Sequence, residues 1–132
     1  MTKTKFSSEF EIKASAKVIF PYLSTPGGLS QWFADDVSFT PKKNLIMQID
    51  GEEMFGKIAS IKNNSSVKIE FLDDDQQEED DASFVEMKLE TNDLTGALYF
   101  IATDYSDFIE SNEEHYELWE GLVDALCSIV GA

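Results

Sequence analysis

Residues 111–131, SNEEHYELWEGLVDALCSIVG, decide how this chain is read, because Tyr116, Trp119, Leu122, Val123, Leu126, Ile129 and Val130 recur at steps of three and four. That period draws an apolar stripe along one side of an amphipathic helix. Ser111, Asn112, Glu113 and Glu114 form a capping box at its start, with acids where the helix dipole favours them, and Gly131 stands where a left-handed cap ends such a helix. About 19 residues at a rise of about 1.5 Å give roughly 28 Å, enough to cross a whole sheet.

Upstream of this helix the period changes. From Asp36 to Asp104 it shortens to two, and turn residues recur at intervals typical of an antiparallel meander. Six strands are predicted, at about 36–41, 44–50, 53–62, 66–72, 82–91 and 95–104. Lys42-Lys43, Asp50-Gly51 and Asn63-Asn64-Ser65 serve as turns, and the clearest inward sets are Val67, Ile69, Phe71 and Val85, Met87, Leu89. Residues 6–13 alternate as a further strand, with Phe6, Ser8, Phe10 and Ile12 on one face. Ser15 then caps a helix beginning at Ala16, which Pro21 is expected to shorten or kink. Thr25-Pro26 is a second helix start leading to Leu29 and Trp32-Phe33. A strand, two short helices, six strands and a long helix make an α+β domain: a curved antiparallel sheet of about seven strands wrapped around the C-terminal helix.

At 132 residues and 14.9 kDa the chain has the size of a single domain, expected to span residues 1–132, and its 42% hydrophobic content is a globular value. All ten basic residues are lysine, against 26 acids, for a net charge of −16. The N-terminal 48 residues carry +2 and the remainder −18. Without a single arginine, and with this field, neither nucleic acid nor an anionic membrane surface is an expected partner. A basic protein partner, or simple solubility, is what such charge favours. Cys127 is alone, which excludes an internal disulfide and a cysteine metal cluster. The longest apolar run is Ala97 to Ala102, so no membrane insertion is expected, and a reducing cytoplasm is the expected location.

The segment from Phe10 to Phe20, followed by Leu23-Ser24-Thr25-Pro26-Gly27-Gly28-Leu29-Ser30-Gln31-Trp32-Phe33-Ala34-Asp35-Asp36-Val37, resembles START-like proteins of the helix-grip superfamily, the SRPBCC or birch-pollen-allergen-like proteins. The likeness is nearest to the branch named after the activator of the heat-shock-protein-90 ATPase. In that branch a Thr-Pro-x-x-Leu-x-x-Trp-Phe segment follows the first strand and helix, and His115-x-x-x-Trp119-x-x-Leu122-x-x-x-Leu126 is similar to its last helix. Pro21 and the acidic run Asp73 to Asp81 depart from the pattern. The resemblance implies a helix-grip fold and an apolar or lipid-like ligand held between sheet and last helix. Some members are enzymes, and others bind protein partners.

On this reading Trp32, Phe33, Met87, Trp119, Val123 and Leu126 either line a cavity or fill the core, and Tyr116 or His115 would orient a ligand. A sealed, dry void of about 300 Å³ would cost on the order of 7 kcal/mol against a total stability of about 5 to 15. The space must therefore hold ligand, water or side chains, and sixteen aromatic residues are capable of filling it. The alternative function is a protein-interaction or chaperone-cofactor module with a filled core, acting through its acidic surface.

Catalytic signals are weak. His115 has Ser111, Asn112, Leu118 and Trp119 as helical neighbours, so an enzyme would require a carboxylate brought to it from a distant strand. The run Asp73 to Asp81 fails the EF-hand pattern, with Glu78 at the sixth position and Phe84 at the twelfth, and reads as a solvated hairpin tip. Asp35 and Asp36 are adjacent on a strand entry and point to opposite faces. No phosphate loop, nucleophile elbow or His-Glu-x-x-His occurs, and no cofactor or metal is expected.

Overall fold

Alternating apolar and polar residues build seven antiparallel strands in the computed structural model, which describes residues 3–132. Met1 and Thr2, the first residues of the expected 1–132 domain, lie outside the described residues. The strands are β1 (Thr4–Ile12), β2 (Asp36–Phe39), β3 (Leu45–Ile49), β4 (Glu52–Lys62), β5 (Ser66–Phe71), β6 (Phe84–Thr91) and β7 (Leu98–Ser106). The helices are α1 (Ala16–Ser24), α2 (Pro26–Leu29) and α3 (Asn112–Val130). The sheet order is β1-β7-β6-β5-β4-β3-β2, so the meander runs from β2 to β7 and the N-terminal strand closes it beside β7.

The turn chemistry explains the meander. Asp50 at φ 52° and Gly51 at φ 80° give the two left-handed residues of a tight hairpin between β3 and β4. Asn92 Oδ1 accepts the amides of Leu94 and Thr95 at 2.9 and 3.1 Å. That turn holds residues 95–97 out of the ladder, so β7 starts at Leu98 rather than at 95 and continues to Ser106. Curvature comes from β4, whose register shifts between Ile58 and Ser60. At Gly56 a Cβ would stand 2.9 Å from Met47 Cε and 3.2 Å from the Glu70 carbonyl, so the close strand approach there needs glycine.

The two short helices expected after β1 are present. Helix α1 is short, nine residues, and runs through Pro21 to Ser24. Pro21 is exposed, and the missing amide removes one bond on the water side, while Ser24 Oγ and Thr25 Oγ1 donate to the Phe20 and Pro21 carbonyls at 2.9 and 2.8 Å. Helix α2 is a single turn, and Trp32 and Phe33 follow it in irregular backbone, with Trp32 Nε1 donating to the Tyr22 carbonyl at 2.8 Å.

Helix α3 has the expected cap, Ser111 Oγ accepting from the Glu114 amide at 3.1 Å, and ends at Gly131 with φ 75°. Its buried face differs from the expected stripe: His115, Trp119, Val123 and Leu126 are buried, while Tyr116 is 44% exposed and Ile129 37%. The face turned inward includes His115, which finds polar partners there. Among the described residues, no helix is long and apolar enough to cross a membrane.

Candidate functional site

Strand β7 turns Leu98, Phe100, Ala102, Asp104 and Ser106 inward, and all five are buried. Asp104 thus continues an apolar stripe, with Val85 of β6 and Phe6 of β1 as its cross-strand neighbours. A carboxylate 4% exposed must be satisfied inside the protein. Helix α3 supplies the partners: Trp119 Nε1–H donates to Asp104 Oδ2 at 2.5 Å, and His115 Nε2 lies 2.8 Å from the same oxygen. The His115 contact is close but lacks good hydrogen-bond geometry at Nε2, and it becomes an ion pair only when the imidazole is protonated. On the other side of the ring, His115 Nδ1 meets Ser8 Oγ of β1 at 2.7 Å.

Burial dominates the electrostatics of this chain of groups. It raises Asp104 above its ordinary 3.8, an effect opposed by the Trp119 hydrogen bond and by His115. It lowers His115 below 6.5, opposed by the nearby carboxylate. Cys127 is pushed up by burial and by Asp124, which makes it a poor nucleophile.

Ser8, His115 and Asp104 are the residue types of an acyl-transfer triad, and the distant-strand carboxylate an enzyme would need is present. His115 is 0% exposed and Ser8 9%, and of the three Asp104 borders the cleft described below. The array is a buried tie between β1, β7 and α3.

Beside it, Trp119 anchors an aromatic cluster, with ring centroids 6.2 Å from Trp32, 6.1 Å from Phe33 and 5.9 Å from Phe100. These rings occupy much of the space between sheet and helix. What stays open is a cleft of about 510 Å³ between α3 and the β3–β6 part of the sheet. Its walls include Phe33, Ile49, Met54, Phe71, Val85, Trp119 and Leu122, with Asp104 among them. Phe108 and Leu118, 59% and 47% exposed, stand at the mouth together with Asp50 and Glu52. Being open to water, the cleft escapes the cost of a sealed void. A smaller depression of about 400 Å³ extends it toward Ser30 and Ala125, sharing Phe33, Ile49, Asp50 and Leu122. Two shallow, polar depressions lie around Glu9, Glu11, Glu90 and Tyr99 and around Thr95 to Tyr99, away from the buried carboxylate.

Of the residues singled out in the sequence, Phe33 and Trp119 border the cleft. Trp32, largely buried, borders the adjoining depression, while Met87, Val123 and Leu126 are buried in the core. Tyr116 faces outward on the β1 side and stacks on Phe10 at 4.9 Å. Sequence reasoning passed over Ser8 and Asp104 as partners of His115. Their signal was phase: each polar residue falls on the inward set of an otherwise apolar strand face.

A curved seven-stranded antiparallel sheet closed over one long C-terminal helix, with an apolar cleft between them, defines the helix-grip class. The chain belongs to the START-like superfamily: the profile of the START-like superfamily domain matches residues 1–132. It is similar to a Bacteroides fragilis protein solved by NMR, at 31% identity and TM-score 0.62 over 98% of this chain and 92% of that one. A crystallised Mesorhizobium loti protein shares the fold at 14% identity and TM-score 0.71, covering 97% of each chain. The Aha1 dimer from Colwellia psychrerythraea does so at 18% identity and TM-score 0.66, over 96% of this chain and 92% of that one. No curated protein matches the chain.

Proposed function

We propose that this protein, as one binding domain over residues 1–132, sequesters a small apolar molecule in the cleft between α3 and the sheet. The observation that carries this reading is the cleft itself: about 510 Å³, in the range of small-molecule sites, with mostly apolar walls and one buried carboxylate among them. Phe33, Trp119 and Leu122 would contact the ligand, with affinity from apolar burial at roughly 25 cal/mol per Å². Trp32, Met87, Val123 and Leu126 would support these walls. The lone thiol suits a reducing cytoplasm.

Titration with 2-naphthalenemethanol, followed by tryptophan fluorescence and amide NMR shifts, tests the reading. Binding should perturb the Trp119 indole resonance and disappear in Leu122→Trp, which fills the cleft from a half-buried position. Absence of binding by neutral and charged aromatic probes alike would sink it. The acidic surface would then favour a protein-interaction module, including the chaperone-cofactor role suggested by the Aha1-like branch.

A further inference from the structure

We propose that the cleft selects a cationic amphiphile, an apolar ring-bearing molecule with one protonated amine that pairs with Asp104. This rests on the binding reading above and adds the ligand's charge to it. Asp104 is 4% exposed and forms part of the cleft wall. Both protein groups that reach its carboxylate converge on Oδ2, and among the described residues no donor reaches Oδ1. The well-formed bond comes from a neutral indole, His115 is off the hydrogen-bond axis, and among the described residues no lysine lies within ion-pair distance. A largely buried residue on the wall of an open, apolar cleft thus keeps one carboxylate oxygen that no protein donor takes, left for whatever enters.

The mouth has the same sign. Asp50 and Glu52, exposed on the β3–β4 hairpin, flank the entrance, and the chain as a whole carries −16. A fatty acid or other anion would meet repulsion at the mouth and again at the wall. A neutral alcohol would give Oδ1 a hydrogen bond without charge. An amine with a lysine-like pKa of about 10.4 stays protonated at neutral pH and forms the stronger charge-assisted bond. The apolar walls, Phe33, Met54, Phe71 and Leu122 among them, require the rest of the molecule to be hydrocarbon or aromatic.

Three probes with the same rings separate the possibilities: 2-(aminomethyl)naphthalene, 2-naphthalenemethanol and 2-naphthoate, titrated calorimetrically at pH 7.5 and low salt. The amine should bind at least about tenfold tighter than the alcohol, and the naphthoate weakest. In Asp104→Asn, which keeps an acceptor for Trp119, the amine should lose its advantage over the alcohol. Should that variant fail to fold, the exposed pair Asp50→Asn/Glu52→Gln decides. It should cut the amine's advantage over the alcohol about two- to fivefold and flatten the amine's salt dependence. Equal binding of amine and alcohol, or preference for the naphthoate, would overturn the charge selectivity and leave the cleft as a binding site. If none of the three binds, the cleft reading falls and this one with it.

Discussion

The two halves of α3 bury different chemistry. Around Val123 and Leu126 the helix belongs to a hydrocarbon core that includes Leu23, Leu29 and Met87. One to two turns earlier, His115 and Trp119 engage Ser8 and Asp104, and the cleft opens beside them. The first half needs only volume and period, so it supplies stability. The second holds a carboxylate in a place where burial raises the energy of its charge, an arrangement natural proteins keep mainly where a site requires it. Trp119 serves both, packing on Trp32 and Phe100 while donating to Asp104.

The largest effect is expected in the dry half. Leu126→Ala should cost about 2–5 kcal/mol of stability in urea denaturation, while the folded fraction keeps its affinity for a cleft ligand. A loss of affinity in the folded fraction would mean that the two halves are not separable. Next comes Trp119→Phe, which retains most of the ring volume but removes the donor to Asp104. It should cost about 1–3 kcal/mol, and combining it with Asp104→Asn should cost less than the two separate losses together. Strict additivity would show that the indole acts through packing alone.

The pH dependence of stability sharpens the contrast further. Because His115 titrates below 6.5 when folded, the unfolded chain takes up that proton first, so stability is lost as the pH falls from 6.5 toward the folded value. Asp104, raised above 3.8, acts in the opposite sense, returning stability as the pH falls through its folded value toward 3.8. Denaturation at pH 7.5 and 5.5 should therefore show a decline in the wild type that His115→Gln diminishes. Parallel behaviour of the two proteins would rule out the buried imidazole as its source. The smallest effect belongs to the mouth: Phe108→Ser, at a residue 59% exposed, should change stability by no more than about 0.5 kcal/mol while weakening the apolar probe. A large destabilisation would place Phe108 in the core instead.

Much of the fold was legible because its signals are local. The period of α3, the alternation of β5 and β6 and the Asp50-Gly51 turn each lie within a few residues, and the element order follows from them. Boundaries slipped where a side chain intervened, as at Asn92, whose carboxamide caps a turn and delays β7. How far α1 would run past Pro21 was not legible, because the cost of a helical proline depends on whether the missing bond faces water, which sequence does not record.

The site was legible only in part. Phe33 and Trp119 stand out as large aromatics near turns of the right helix, but Tyr116 carries the same period and points outward. By itself the sequence determined the secondary structure, the layer order and the sign of the surface charge, since periodicity, turn residues and formal charge are local properties. Tertiary structure alone decided that Ser8 meets His115 across 107 residues, that Asp104 joins them, and that the rings leave a cleft of one shape. Those outcomes depend on the register of β1 on β7 and on the rotation of α3. Register and rotation are set by the whole core closing at once, and no single segment of sequence contains them.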